Sequence, residues 1–156
     1  MWNKHLLRIY IDTSVIGGYY DTEFAEWSKK LINEFRKGDK VAVISDITLE
    51  ELEEAPGEVR GIIETIPGEN IETLMKDEEV DFLADLYVQE EAITDKHYED
   101  ALHIALATIH KVDVLVSWNF KHIVNVNRIR KYNGVNLKYG YQPLEIRSPR
   151  EVLDEE

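Results

Sequence analysis

The chain has 156 residues, is 44% hydrophobic and 31% charged, contains no cysteine and carries a formal net charge of −13. This composition predicts one globular domain over residues 1–156. The absence of cysteine excludes disulfides, iron–sulfur clusters and cysteine-ligated zinc. The sequence has no apolar run long enough for a transmembrane helix or a signal peptide, which favours a cytoplasmic protein. The acidity argues against a general nucleic-acid binder, because Lys and Arg hold phosphates, but it leaves open an enzyme that meets phosphate through a bound cation.

The hydrophobic pattern predicts alternating strands and helices. In chain order it predicts a strand at 6–11, a helix at 22–37, a strand at 41–44, helices from 48 to just before Pro56 and at 58–65, a weak strand at 71–74, helices at 78–91 and 96–110, a strand at 114–116, a helix at 126–132 and a strand at 144–146. Gly17 and Gly18 are interpreted as a flexible loop. Strands alternating with helices predict an α/β fold, with a parallel sheet covered on both faces.

Polar residues follow the predicted strands. Asp12 comes directly after the first strand, Glu51 lies after the second, and Asn119 follows the fourth. Asp100 lies near the start of a strongly apolar helix. The carboxyl ends of parallel strands share one edge, so these side chains are expected to converge there. Converging carboxylates repel unless a cation offsets them, and an all-oxygen ligand set suits Mg²⁺ or Mn²⁺.

Each of these residues has a simpler structural interpretation. Asp12 fits a turn or a helix N-cap, and Asn119 fits ordinary turn chemistry. Thr48 and Glu51 match a capping box, in which Glu51 reaches back to the Thr48 backbone. Asp100 needs a partner if it is buried, or it is exposed in the first turn of its helix, where its charge favours the helix dipole.

The histidines allow further hypotheses. His97, Asp100 and His103 are spaced i, i+3, i+6 on one predicted helix, but His97 and His103 fall nearly opposite each other, which disfavours a zinc site. His103 is interpreted as a hydrogen-bonded residue of the core or the rim. His122, with Lys121, either touches phosphate or begins a solvated helix.

Four segments together resemble the motifs of PIN domains. Residues 9–16 (IYIDTSVI) resemble the opening motif, and residues 45–52 (SDITLEEL) resemble the second, whose acidic position falls at Glu51. Residues 100–105 (DALHIA) resemble the third, and residues 115–120 (LVSWNF) resemble the fourth, where the family carries Asp or Asn. None of these motifs is distinctive alone, but their order and spacing agree over nearly the whole chain.

The resemblance implies a PIN-like three-layer sandwich, with a parallel sheet of about five strands between helices. It also implies a Mg²⁺- or Mn²⁺-dependent ribonuclease, in many small proteins of this kind a VapC-type toxin that pairs with an antitoxin and is often dimeric. The implied metal ligands are Asp12, Glu51, Asp100 and Asn119, the last through its amide oxygen or a water. Thr13, Ser14 and Lys121 are implied to support the site or to contact substrate. Because Asn119 stands in place of a carboxylate, the resemblance leaves open whether one or two metal ions act.

Other enzyme classes fit the sequence less well. A phosphatase of the haloacid dehalogenase type needs a second Asp where Ser14 stands, and a response-regulator receiver needs an acidic pair that Asp12 and Thr13 do not form. The sequence contains neither of the glycine-rich phosphate-binding motifs, Gly-x-x-x-x-Gly-Lys and Gly-x-Gly-x-x-Gly, and this disfavours a nucleotide-binding module.

The main alternative is a PIN-like protein that binds without cutting, as an inactive scaffold or a binding module. The basic segment 121–138 is either an RNA-facing surface or a solvated helix face. A set of aromatic residues either packs in the core or forms a dimer or antitoxin surface; it comprises Tyr19, Tyr20, Trp27 and Tyr87.

Overall fold

Five parallel strands form one sheet in the computed structural model, which describes residues 5–153. They are β1 (Arg8–Ile11), β2 (Val41–Ser45), β3 (Ile71–Leu74), β4 (Val114–Val116) and β5 (Ile146–Arg147). The strand order is β3-β2-β1-β4-β5, and every pairing is parallel. The predicted α/β class and five-stranded parallel sheet are therefore confirmed.

Seven α-helices accompany the sheet over residues 5–153. They are α1 (Thr13–Gly17), α2 (Ala25–Lys37), α3 (Asp46–Glu53), α4 (Gly57–Glu64), α5 (Glu78–Gln89), α6 (Tyr98–Ile109) and α7 (Val126–Lys138). Short 3₁₀ turns lie at Gly18–Tyr20, Gly68–Asn70, Asp95–His97 and Pro149–Val152. Within the described range, each helix is too short or too polar to cross a membrane.

Helices cover both faces of the sheet, and each face has its own apolar core. Side chains alternate along a strand, so Ile9 and Ile11 face one side and Tyr10 faces the other. The first side packs against apolar residues of α1, α2 and α4, and the second packs against α5, α6 and α7. The strands are buried on both faces, which explains their nearly continuous apolar sequences.

The interpretation of Gly17 and Gly18 as a flexible loop is wrong. Residues 13–17 form α1, which Asp12 caps by accepting a hydrogen bond from the Val15 backbone N–H. A Cβ on Gly18 would lie 2.7 Å from the Ser28 hydroxyl and 2.8 Å from the Trp118 indole nitrogen. Gly18 is therefore suited to a close approach between α1, α2 and the segment after β4, rather than to flexibility.

Helix α7 is longer than predicted. The sequence predicts its end at residue 132, before Gly134, but the helix runs through Gly134 to Lys138. Tyr132, Val135 and Asn136 are buried, and the Asn136 side chain accepts a hydrogen bond from the Tyr87 hydroxyl. This packing outweighs the low helix propensity of glycine. The last strand lies at Ile146–Arg147, slightly beyond the predicted 144–146.

Candidate active site

The structure brings the predicted acidic residues to one edge of the sheet, which we call the acidic rim. Asp12 follows β1, Glu51 lies on α3 after β2, and Asp100 lies in the first turn of α6. Asn119 follows β4 and donates a hydrogen bond of 3.3 Å from its amide nitrogen to Asp100. Thr13 donates a hydrogen bond of 3.1 Å to Glu51, which joins the segment after β1 to α3.

Asp12 is held in one orientation. Its carboxylate is 5% exposed, and it accepts one hydroxyl hydrogen bond on each oxygen, from Ser14 and from Ser117, both at 2.6 Å. Burial raises the pKa of Asp12 above its ordinary value, although the charge of His103 and the two serine hydroxyls oppose that rise. The carboxylate is therefore positioned before any ligand arrives.

Glu51 does not cap its own helix. Helix α3 begins at Asp46 rather than Thr48, and its capping box is formed by Ser45 and Thr48. The capping interpretation of Glu51 is therefore wrong, because the cap lies one turn earlier. Its carboxylate instead contacts Thr13 and the Nε2 atom of His103 at 2.5 Å. Burial favours a higher pKa for Glu51, but the hydrogen bond and charge of His103 outweigh it and lower the pKa.

His103 links the acidic rim to the core. The side chain is 1% exposed, and its Nδ1 atom lies 2.6 Å from the Tyr10 hydroxyl, which lies 2.7 Å from the Ser45 hydroxyl. Burial by itself lowers the pKa of His103, but Tyr10, Glu51 and Asp12 together raise it well above the ordinary value. These neighbours therefore favour the protonated form of His103, and its interpretation as a hydrogen-bonded residue is confirmed.

The surroundings of Asp100 disfavour its ionised form. Burial raises its pKa to about 6, and the negative charges of Asp12, Glu51 and Glu99 add to the rise, while His103 opposes it. Its described side-chain hydrogen bond comes from the Asn119 amide. A carboxylate in this environment favours either a proton or a cation.

The oxygen of Asn119 is engaged in a turn. Asn119 Oδ1 accepts hydrogen bonds from the backbone N–H groups of Lys121 at 3.2 Å and His122 at 3.0 Å. The interpretation of Asn119 as a turn residue is thus confirmed for this oxygen. Because the oxygen already accepts two backbone hydrogen bonds, Asn119 would reach a cation more simply through a water. The exposed Lys121 joins the turn through its backbone.

The acidic rim suits a hard divalent cation in its chemistry. Over residues 5–153, no three His, Asp or Glu side chains are arranged to hold a metal ion directly. His97 and His103 belong to no such group in this range. Mg²⁺ commonly uses only one or two carboxylates and fills its remaining positions with waters and substrate phosphate. Asp12 is buried and Asp100 is half-buried, and both carboxylates have raised pKa values. Such groups are stabilised by a cation that keeps its waters.

Two supporting residues were missed from the sequence. Tyr10 lies in the middle of β1, and its side chain faces α6, opposite to Ile9 and Ile11. That alternation was readable from the sequence, but the contact with His103 was not. Ser117 ends β4 just as Asp12 ends β1; the register pairs Ile11 with Val116, which places these two side chains side by side.

Comparisons with known proteins agree with this geometry. The family model of the PIN domain matches residues 9–121. The fold is similar to a chain of VapBC2 from Rickettsia felis, solved bound to a promoter DNA fragment, with a TM-score of 0.55 and 12% identity over 91% of this chain and 98% of that chain. It is also similar to a chain of FitAcB from Neisseria gonorrhoeae, with a TM-score of 0.53 and 17% identity over 92% and 99% of the two chains. The comparison with curated proteins found no match.

Proposed function

Because this chain belongs to the PIN domain family, we propose that it is a ribonuclease that hydrolyses RNA phosphodiester bonds with Mg²⁺ or Mn²⁺. PIN domains are generally nucleases that use divalent metals. The observation that carries the proposal is the acidic rim, where Asp12, Glu51 and Asp100 converge and the pKa of Asp100 is raised to about 6. Such a cluster of perturbed carboxylates is typical of a functional site.

Some residues of the acidic rim would bind the cation, and their neighbours hold these ligands in place. Asp12, Glu51 and Asp100 are the proposed ligands; one or two of them would contact the cation directly and the others through its waters, as Asn119 would. A bound Mg²⁺ or Mn²⁺ would polarise a phosphoryl oxygen and lower the pKa of an attacking water.

The neighbouring side chains orient these ligands. Ser14 and Ser117 fix both oxygens of Asp12. His103 and Thr13 fix Glu51, and Tyr10 fixes the His103 ring. Partners of this kind set the orientation and basicity of metal ligands.

In this proposal the bound cation also contributes to substrate binding, because the chain itself is acidic. With a net charge of −13, the chain repels phosphate over most of its surface. Lys121 and the basic segment 121–138 follow directly after the acidic rim, at Asn119, and are proposed to contact the RNA backbone. Lys138 is less suited to this role, because its ammonium contacts Glu90 at 2.9 Å.

The proposed partners follow from the family and its structural neighbours. The similar fold of the VapBC2 and FitAcB chains supports a toxin role in a VapBC-type pair with an antitoxin partner. A homodimer and a cytoplasmic location are proposed as well, from the sequence resemblance and composition alone. Tyr87 is buried, so the core-packing alternative is confirmed for this residue. Tyr20 is exposed, while Tyr19 and Trp27 are partly covered and contact cationic side chains.

The test is cleavage of a labelled RNA mixture with Mg²⁺, Mn²⁺ or EDTA by the wild type and by Asp12→Asn. Cleavage that needs metal and disappears in the variant would support the proposal. Equal cleavage by both proteins would indicate a contaminating nuclease.

The alternative is an inactive PIN-like scaffold or binding module. Calorimetry with Mn²⁺ separates it from the enzyme. No cleavage together with no Mn²⁺ binding would contradict the nuclease proposal and favour the scaffold. Mn²⁺ binding that Asp12→Asn abolishes, without cleavage of the mixture, would direct the search to a narrower RNA substrate.

A further inference from the structure

Three aromatic side chains form a cluster beside the acidic rim, which we call the aromatic shelf. The Phe24 and Trp118 rings are stacked with centroids 4.2 Å apart and an angle of 15° between their planes. The Phe120 ring lies 6.1 Å from Trp118 and 6.5 Å from Phe24, tilted against both. Three rings therefore share one surface where the chain leaves β4.

The inner part of the aromatic shelf is rigidly held. Trp118 is buried, and its indole N–H donates a hydrogen bond of 2.9 Å to the Ser28 hydroxyl on α2. Its backbone N–H donates a hydrogen bond of 2.9 Å to Ser14, whose hydroxyl donates to Asp12. The shelf and the carboxylate are thus joined through one serine.

The outer part of the shelf is open. Phe120 is 49% exposed although it touches the other two rings. Its neighbour in the chain, Asn119, donates a hydrogen bond to Asp100. An exposed aromatic ring is therefore placed one residue from the proposed site of phosphodiester cleavage.

We propose that Phe120 forms a nucleobase subsite, on which a base of single-stranded RNA next to the cleaved phosphate stacks. This inference rests on the proposed function for its substrate class. Base stacking on an aromatic side chain contributes about 1–3 kcal/mol and tolerates any base. In a protein of net charge −13 the phosphate contribution to affinity is small, so stacking carries a larger share of RNA binding.

The position of the shelf favours a base over a protein segment as the occupant. Other exposed apolar side chains, such as Phe82 on α5 at 59% exposure, lie outside this cluster. Phe120 instead packs against Trp118, whose backbone N–H donates to Ser14, and it directly follows Asn119, which donates to Asp100. Phe82 consequently provides a matched control for an exposed phenylalanine.

The experiment measures binding of a fluorescein-labelled single-stranded RNA of mixed sequence by fluorescence polarisation in Ca²⁺. Ca²⁺ replaces Mg²⁺ in this assay because its flexible coordination suits a binding measurement, whereas Mg²⁺ demands a strict octahedral geometry. A gel confirms that the RNA stays intact. The proteins are the wild type, Phe120→Leu, Phe120→Trp and Phe82→Leu. We expect Phe120→Leu to weaken binding about tenfold, while Phe120→Trp and Phe82→Leu bind like the wild type.

A second probe distinguishes stacking from phosphate contacts. The same RNA with abasic residues keeps its phosphates but has no bases to stack, so wild type and Phe120→Leu should bind it equally. The difference between the two proteins on the intact RNA should persist between 50 mM and 200 mM salt, since stacking is less salt-dependent than phosphate binding.

The outcomes separate this inference from the proposed function. RNA binding unchanged by Phe120→Leu, an equal loss in Phe82→Leu, or no RNA binding by the wild type would overturn the subsite. Metal-dependent cleavage with unchanged Phe120→Leu binding would leave the nuclease standing and remove the subsite. Loss of RNA binding in Phe120→Leu, together with no cleavage and no Mn²⁺ binding by the wild type, would support the subsite and contradict the nuclease.

Discussion

Acidic side chains lie at both ends of the sheet, but their surroundings differ. At the amino end of the strands, the Arg8 guanidinium donates to both oxygens of Glu72, at 2.9 Å and 2.8 Å. Asp113 accepts a hydrogen bond of 2.7 Å from the Arg8 backbone. At the carboxyl end, the acidic rim gathers Asp12, Glu51 and Asp100 around His103, whose pKa its acidic neighbours raise above the ordinary value.

The difference shows which acids serve the fold. The Arg8–Glu72 pair satisfies its charges in a bidentate arrangement that connects β1 to β3. Asp100 has a pKa raised to about 6, which means that its ionised form is destabilised in the folded chain. A protein keeps such an arrangement for binding or catalysis rather than for stability.

The largest expected effect is loss of cleavage in Asp100→Asn. Removing this charge should lower the metal-dependent RNA cleavage rate by at least about 100-fold, because even partners of metal ligands commonly contribute 10–100-fold. Initial rates on labelled RNA in Mg²⁺ measure the effect, with Glu72→Gln as the control at the opposite end of the sheet. Cleavage by Asp100→Asn at the wild-type rate would remove Asp100 from the site.

The next largest effect is expected for His103→Leu. It removes the partner of Glu51 and Tyr10, so we expect a loss of roughly 10–100-fold in Mn²⁺ affinity and a loss of about 2–4 kcal/mol in the free energy of unfolding. Calorimetry and urea unfolding measure these changes. His103→Gln keeps an amide donor and should recover part of both; wild-type Mn²⁺ affinity in His103→Leu would contradict the positioning role.

The third effect is a gain in stability that depends on pH. The folded-state pKa of Asp100 is raised from 3.8 to about 6, so between these values the folded chain binds more protons than the unfolded chain. Ionised Asp100 therefore costs stability at neutral pH, and this cost disappears as the pH falls through about 6 towards 4. In EDTA at pH 7, Asp100→Asn should be more stable than wild type by about 2 kcal/mol.

Urea unfolding between pH 4 and pH 8 measures this gain. The two proteins should approach each other in stability at the acidic end, and added Mg²⁺ should stabilise the wild type more than the variant. Equal stability of the two proteins at pH 7 would indicate that Asp100 is solvated in solution.

The smallest effect is expected at the amino end of the sheet. Glu72→Gln breaks a half-exposed ion pair, and Arg8 keeps a hydrogen bond of 3.0 Å to the His110 carbonyl, so the loss should be less than about 1 kcal/mol. RNA cleavage should be unchanged. A marked loss of cleavage would show that the two ends of the sheet are coupled.

Much of the site was readable from the sequence because of one topological rule. Asp12 directly follows β1 and Asn119 lies three residues after the end of β4, and parallel strands end at a common edge, so their convergence needed no coordinates. The same rule placed Glu51 after the second strand, whereas the alternative capping box of Thr48 and Glu51 does not form. Only the backbone shows that Ser45 rather than Thr48 is the N-cap residue of α3.

The errors in the fold prediction have a common physical origin. Gly17, Gly18 and Gly134 were interpreted from intrinsic preference, which disfavours glycine in helices. In the structure, Asp12 caps α1 and buried contacts of Tyr132 and Asn136 hold α7 past Gly134. Tertiary packing outweighs a preference of about 1 kcal/mol per residue.

By itself, the sequence determined the α/β class, the order of strands and helices, the family resemblance and the set of acidic residues at the strand ends. Those properties depend on local periodicity and on short motifs. Only the tertiary structure decided that His103 and Tyr10 hold Glu51, that Asn119 turns its oxygen to the backbone, and that Phe120 lies open beside the rim. The His103 contacts join residues 52 and 93 positions apart, and they depend on the strand order β3-β2-β1-β4-β5, which no local pattern encodes.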